Sequence, residues 1–268
     1  MQIYSKPTQH TAMRHIPRKR FGQHFLVDTH LITKIIHIIH PAPGDRMIEI
    51  GPGLGALTRP LLSILDKLQV IEIDRDIVDH LSRTDTEKLV IHNADALKFD
   101  FSALGDRLRI VGNLPYNIST PLLFHLAQFS NLIIDMYFML QLEVVERMVA
   151  LPSTSDYGRL SLMLQNRFEM EQMLDVPAEA FNPPPRVQSA IVCMRPRAEP
   201  VIPFEQEKLF AELVTAAFSQ RRKTLRNTLR NYLTVSNFEQ LGIDAGLRAE
   251  NLSLKQYSAI TRQIYENR

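Results

Sequence analysis

Met47-Ile48-Glu49-Ile50-Gly51-Pro52-Gly53-Leu54-Gly55-Ala56-Leu57 decides the fold class: an apolar β-branched run enters a glycine-rich turn, and helical spacing follows through Leu65. Glycines at such a turn let the chain reverse sharply and let a ligand approach the backbone with no Cβ in the way. A tight strand-to-helix turn with no ligand needs the same residues, so the motif acquires meaning only from its surroundings.

Outward from that stretch, helical and strand signals alternate. Leu31–His40 places Ile32, Ile35, Ile36 and Ile39 at helical spacing and is closed by Pro41 and Pro43. Strand-like runs recur at Met47–Ile50, Val70–Ile73, Leu89–Ile91, Leu108–Val111 and Ile133–Leu140. Leu54–Leu65, Asp76–Ser82 and a loop around Phe99–Gly105 separate the first four, and the amphipathic stretch Glu143–Leu151 follows the fifth. This alternation predicts a parallel, doubly wound Rossmann-like α/β sheet. Phe168–Val176 and Ser189–Arg195 add an antiparallel hairpin at one edge. Pro196, Pro200 and Pro203 mark a linker, after which Glu205–Phe218, Lys223–Leu233, Phe238–Leu241 and Lys255–Glu266 read as helices. The expected organisation is a basic N-terminal segment over residues 1–28, an α/β domain over 29–197 and a small all-α domain over 198–268.

The strand ends carry acids. Glu49 stands two residues before Gly51, where a carboxylate disfavours a phosphate and suits an ammonium group. The spacing is G-x-G-x-G rather than the G-x-G-x-x-G of a dinucleotide site. Glu72, with Asp74 as second choice, ends the next strand, where an acid accepts from ribose hydroxyls. Asp95 follows the third strand and is placed to accept from an adenine amino group. Each acid alone reads as a solvated strand end. Together, with Gly51 and Gly53, they favour S-adenosylmethionine over a nicotinamide dinucleotide.

The fourth strand runs into Asn113-Leu114-Pro115-Tyr116. Such a tetrapeptide can be no more than a turn, but beside a methyl donor it fits alkylation of an exocyclic aromatic amine. The lone pair of that amine is delocalised into the ring. Two acceptors, the Asn113 side-chain oxygen and the Leu114 carbonyl, would hold its N–H groups and localise the pair. Pro115 would stiffen the turn and Tyr116 would stack on a flipped base. Phe181, at the head of Phe181-Asn182-Pro183-Pro184-Pro185-Arg186-Val187-Gln188-Ser189, is a candidate for the base's other face; a stiff polyproline loop is the plain alternative.

Charge points to the partner. The net +2 conceals five basic residues in 1–20 (Lys6, Arg14, Arg18, Lys19, Arg20) and five in 219–232 (Arg221, Arg222, Lys223, Arg226, Arg230), neither stretch holding an acid. Without those ten, 21 basic residues face 29 acidic ones. Two cationic patches on an acidic body suit a polyanion, although solvated faces would look the same. Arg222, Arg226 and Arg230 recur at helical spacing, so a helix there would align them as one stripe. Unbroken apolar runs such as Met136–Leu140 fall far short of the roughly 20 residues needed to cross a bilayer. The lone Cys193 suits a reducing compartment, so the expected setting is cytoplasmic. Pro7 and Pro17 argue against an amphipathic, cleaved presequence.

Arg18-Lys19-Arg20-Phe21-Gly22-Gln23-His24-Phe25-Leu26, Glu49–Gly55, Val70–Asp74, Asn113–Tyr116, Phe181–Ser189 and Arg221–Asn227, in this order and spacing, resemble the KsgA-type ribosomal RNA small-subunit adenine dimethyltransferases. The resemblance spans nearly the whole chain. It implies transfer of two methyl groups to N6 of each of two adjacent adenosines in a hairpin loop near the 3′ end of 16S rRNA, within an immature small ribosomal subunit, by a monomer. It also implies a part in subunit assembly. Family cofactor contacts would fall on His24, Leu26, Gly51, Glu72, Asp95 and Asn113. His24 departs from the asparagine usual in the bacterial family, which leaves its backbone as the natural contact. Arg18, Lys19 and Arg20 would guard the cleft entrance, and Arg221, Arg222, Lys223 and Arg226 would grip RNA. No metal site is expected. The competing readings are a 23S rRNA adenine methyltransferase of the antibiotic-resistance type, a non-catalytic assembly factor that keeps the fold, and a small-molecule methyltransferase, which the basic patches disfavour.

Overall fold

The computed structural model describes residues 24–83 and 87–268. A short strand β1 (Phe25–Leu26) leads to α1 (Thr29–Ile39), whose first turn is held by Asp28 accepting from the His30 and Leu31 N–H groups at 2.9 and 3.0 Å. The helix buries Ile35 and Ile39 and ends on His40 in the left-handed region, ahead of Pro41. The α/β unit continues through β2 (Arg46–Ile50), α2 (Thr58–Ile64), β3 (Leu68–Glu72), α3 (Arg75–Ser82), β4 (Leu89–Asn93), β5 (Leu108–Asn113), α4 (Ser119–Ala127) and β6 (Ile133–Gln141). Next come α5 (Leu142–Val149), α6 (Arg159–Gln165), β7 (Phe168–Val176), β8 (Phe181–Asn182) and β9 (Ser189–Pro196). The chain closes with α7 (Glu207–Ala217), α8 (Leu225–Thr228), α9 (Val235–Gln240) and α10 (Leu254–Glu266).

Seven strands form one sheet in the order β4-β3-β2-β5-β6-β9-β7, parallel from β4 to β6 and antiparallel at β9 and β7. The expected α/β class and edge hairpin are both present. β2 is the switch point: the chain first winds outward to β3 and β4, then returns to add β5 on the other side of β2. Crossovers leaving in opposite directions open a crevice beyond the carboxyl ends of β2 and β5, where α/β sheets bind ligands. Close contact at this point needs Gly112, because a Cβ there would lie 2.6 Å from the Ile50 carbonyl oxygen.

Each face of the sheet buries an apolar layer, one around Ile48, Ile110, Phe138 and Leu122, the other around Met47, Val70, Val111 and Ile35. A buried cation lies on the α1 side of the sheet. Arg109 on β5 holds both carboxylate oxygens of Asp135 at 2.9 Å, pairs with Asp45 at 2.6 Å and donates to the carbonyl of Ile39 at 2.7 Å. It thus ties the end of α1, whose last carbonyls lack helical partners, to the sheet.

The C-terminal helices have their own apolar cluster around Phe210, Leu213, Phe238 and Tyr257, but it also takes in Ala150, Tyr157 and Leu162 from the α5–α6 region. Asn166, 2% exposed, accepts from the Ile202 N–H at 2.7 Å and donates to Glu207, which also pairs with Arg167. The linker is therefore bonded to the α/β unit along its length. The helix expected over 223–233 is reduced to the four residues of α8. The Thr224–Arg248 bridge and the bonds from the Leu225 and Arg226 N–H groups to the Leu247 and Ala245 carbonyls draw the preceding chain into a loop–loop pairing. Among the described residues no helix is long and apolar enough to cross a membrane.

Candidate active site

A cavity of about 290 Å³ occupies the crevice. Its lining brings together His24, Leu26, Gly51, Gly53, Glu72, Asp95, Asn113, Leu114, Pro115 and Tyr116, residues drawn from β1 and from the ends of β2, β3, β4 and β5. The glycine turn stays open until Thr58, so α2 begins later than its apolar spacing suggests. Gly51 and Gly53 sit at φ +66° and +54°, which residues bearing a Cβ rarely adopt, and a Cβ on Gly53 would also press the Phe25 ring at 3.2 Å.

Glu49, Glu72 and Asp95 all line the cavity, and among the described residues its lining includes no lysine or arginine. Glu49 is 2% exposed and its Oε2 accepts from the Thr58 hydroxyl at 2.7 Å. Burial pushes its carboxyl up to about 7; the Thr58 bond opposes this and the nearby Glu72 charge adds to it. Glu72 is also raised, first by burial, while backbone N–H groups, led by that of Asp74 at 2.8 Å, hold it down in part. Asp74, the second choice for the ribose contact, caps α3 through the Asp76 N–H and is absent from the lining. Asp95 turns one oxygen to the Leu97 N–H at 3.0 Å. Carboxylates confined in an apolar cavity with no matching cation among the described residues suit a cationic ligand, and they repel the pyrophosphate of a dinucleotide. The residues present therefore fit S-adenosylmethionine, which carries both an ammonium and a sulfonium.

At the other end, Asn113 Nδ2 donates to the His24 carbonyl at 3.0 Å. That bond fixes which way the amide faces and leaves Oδ1 with no donor among the described residues. The Leu114 N–H bonds the Met139 carbonyl at 3.2 Å, holding the tetrapeptide against β6. No described donor reaches the Leu114 carbonyl oxygen, so two acceptors stand available beside the cavity. Tyr116 is half-buried, bonds Ser189 Oγ at 2.8 Å through its hydroxyl, and lies stacked near His24.

Phe181 departs from expectation. Its backbone pairs with Leu26 across β1 and β8, and its ring, 3% exposed, packs in the apolar layer with Leu26, Val176 and Ile191. Strand pairing turns it inward and keeps it out of the cavity lining, so in this structure it offers no face to a base.

Arg18, Lys19 and Arg20 lie outside the described residues. Arg221, Arg222, Lys223 and Arg226 are all exposed on the C-terminal helical region, and among the described residues none of them forms an ion pair with an acid. The expected helical stripe of Arg222, Arg226 and Arg230 is absent, because Arg222 and Arg230 lie in turns on either side of α8. Instead Lys223 and Arg230 line a polar recess of about 360 Å³ with Ser219, Gln220, Asn227, Thr228 and Asn231. Thr58, Ile73 and Ser189 were not singled out from sequence. Ile73, 49% exposed between two acids in the cavity wall, had a detectable signal, whereas the Thr58–Glu49 bond had none.

A switch-point crevice with acids at successive strand ends, with no lysine or arginine and two unused acceptors among the described residues around it, defines an S-adenosylmethionine-dependent methyltransferase. Comparison with known proteins narrows the class. The family model "Ribosomal RNA adenine dimethylase" matches residues 14–266, and the chain belongs to that family. The chain is 82% identical to the ribosomal RNA small subunit methyltransferase A of Nitrosomonas europaea, over 96% of this chain and 100% of the relative. It is 64% identical to the protein of the same name from Nitrosospira multiformis, over 96% and 98% of the two chains. Among solved structures, a dimethyladenosine transferase from Plasmodium falciparum superposes with a TM-score of 0.77 at 26% identity, covering 91% of this chain and 98% of that one. The 23S rRNA methyltransferase ErmE superposes at 0.69 with 25% identity, covering 90% and 99%. This chain is accordingly an S-adenosylmethionine-dependent ribosomal RNA adenine dimethyltransferase.

Proposed function

We propose that the chain methylates N6 of two adjacent adenosines in the 3′-terminal hairpin loop of 16S rRNA, each twice, on the small (30S) ribosomal subunit, as a cytoplasmic monomer active in subunit biogenesis. The observation that carries this reading is a pair of acceptors, Asn113 Oδ1 and the Leu114 carbonyl, that no donor among the described residues satisfies, beside a cavity lined with carboxylates. Glu49, Glu72, Asp95, Gly51 and Gly53, with Leu26 and the His24 backbone, are the residues that would hold S-adenosylmethionine. When bound, that cofactor supplies an electrophilic methyl carbon.

The protein's own part is positioning. Asn113 Oδ1 and the Leu114 carbonyl accept the two N–H groups of N6, pulling its lone pair out of conjugation with the ring. Tyr116 stacks on the flipped adenine, and its bond to Ser189 fixes the ring plane. Orientation of this kind lowers the barrier by restricting the amine to an attacking geometry. The proton released from N6 passes to solvent, so no strong base is needed. Lys223 and Arg230 in their recess, with exposed Arg221, Arg222 and Arg226, would meet RNA phosphates. Phe181 pairs with Leu26 of β1 through its backbone and packs in the same apolar layer.

Incubating the protein with labelled S-adenosylmethionine and small subunits that lack the modification should yield N6,N6-dimethyladenosine in the 16S 3′ region on nucleoside analysis. Label in 23S rRNA instead would select the resistance-methylase reading, to which ErmE's likeness lends its one support. Subunit binding with no label at all would select the assembly-factor reading.

A further inference from the structure

His24 touches three separate parts of the site. Its carbonyl oxygen accepts from Asn113 Nδ2 at 3.0 Å. Its ring Nδ1–H donates to the Pro183 carbonyl at 2.8 Å, reaching into the proline-rich loop between β8 and β9. Its ring lies near-parallel to that of Tyr116, with centroids 5.9 Å apart and planes 24° off. Tyr116 is in turn held at its far end by Ser189, the first residue of β9 and fully buried.

From this geometry we infer that the His24 side chain is a positioning residue for the target adenine, acting through Tyr116 and the 183–189 loop rather than as a ligand of the cofactor. His24 flanks one face of the Tyr116 ring, near-parallel with centroids 5.9 Å apart. A separation of 5.9 Å leaves no room for a base between the rings, since two successive stacking contacts need about 7 Å. The adenine therefore takes the opposite face, with His24 as the backing that keeps the tyrosine from rotating away. The Nδ1 bond to Pro183 keeps the imidazole in that place, and because a carbonyl can only accept, it also fixes Nδ1 as the protonated nitrogen. An asparagine could reproduce the donation to Pro183 but not the stack; a phenylalanine could reproduce the stack but not the donation.

The second methyl transfer should depend on this support more than the first. A monomethylated amine has one N–H left for the two acceptors, so its orientation relies more heavily on the stacked ring.

This inference rests on the rRNA dimethylation reading, and the test separates the two. His24→Asn, His24→Phe and His24→Ala are compared with the unaltered protein on unmodified small subunits. The measurements are kcat, KM for subunits, Kd for S-adenosylmethionine by calorimetry, thermal stability, and the ratio of N6-monomethyl- to N6,N6-dimethyladenosine. All three variants keep the backbone bond to Asn113. Removing one support should lower kcat about fivefold and removing both about 20-fold, on the scale of one and two modest interactions. The monomethyl fraction should rise in the same order, while cofactor Kd stays within about twofold. Cofactor affinity falling in step with kcat would make the imidazole a cofactor ligand and overturn the inference. Unchanged kcat and product ratio in His24→Ala would overturn it as well. A fall in kcat that follows lost thermal stability with no change in product ratio would reduce His24 to a structural role. If the unaltered protein forms no dimethyladenosine, it is the underlying reading that fails.

Discussion

Replacing Glu49 with glutamine should make the protein more stable and worse at holding its cofactor. The carboxyl is buried and shifted from 4.5 up to about 7, a difference worth about 3 kcal/mol between its protonation states. Between those pH values the folded chain keeps a proton that the unfolded chain has released. Stability therefore declines as pH rises through the window, and the full cost is present above about pH 7. Glutamine has nearly the same shape, its Oε1 can still accept from Thr58, and it has no charge to bury. Urea unfolding of both proteins from pH 4.5 to 9 should give equal stabilities at the acid end and an advantage of about 3 kcal/mol for Glu49→Gln at pH 8–9. Calorimetry should show the opposite for function. In the unaltered protein, association of S-adenosylmethionine strengthens up to about tenfold per pH unit below pH 7, flattens, and weakens again above about pH 8 as the cofactor's own ammonium loses its proton. In the variant it is weaker at pH 8, and any remaining slope belongs to Glu72, whose carboxyl is also raised. Equal stabilities at pH 9 would refute the burial argument. Equal cofactor affinities at pH 8 would refute the assignment of Glu49 to the ammonium.

Asn113→Ala should lower kcat by about 10²–10³, the cost of removing one preorganised polar group at a reacting centre, with subunit affinity kept within a few-fold. Equal losses in both would make Asn113 a structural residue. Replacing Arg222 and Arg226 together with alanine should reduce the slope of log affinity for the subunit against log salt by about 2, one for each phosphate no longer neutralised; an unchanged slope removes the α8 region from the RNA interface. Arg109→Ala leaves Asp135 and Asp45 without their cation and should cost about 3–5 kcal/mol in urea unfolding. A loss below about 1 kcal/mol would mean that the carboxylates are not effectively buried.

Much of the architecture is readable from local pattern. The strand runs and α1 differ from the observed elements by only one or two residues at most ends, because apolar period and caps such as Asp28 act within a few residues of chain. α4 is not legible in this way. Pro121 and His125 interrupt the Ser119–Ala127 stretch, and Leu122, Leu123 and Leu126 make a short apolar face without a capping side chain. Over 223–233 the discrepancy runs the other way: good helical spacing loses to backbone bonds with Ala245 and Leu247, partners about 20 residues away that no local pattern announces.

At the site the division is similar. The sequence by itself determined the chemistry on offer: acids at successive strand ends, a glycine turn unsuited to pyrophosphate, an Asn-Leu-Pro-Tyr tetrapeptide, two cationic clusters and the order of motifs that marks the family. Those features follow from residue type and strand period, which are local. Only the tertiary structure decided how they are used. It turned Asn113's amide nitrogen to a carbonyl 89 residues away and so left its oxygen with no donor among the described residues. It chose Glu72 over Asp74 for the cavity, buried Phe181 in the apolar layer with Leu26, and set His24 between Tyr116 and Pro183. Each of these depends on which strands pair and in what register. Register is fixed by burying whole faces of the sheet together, a long-range condition that no single stretch of chain contains.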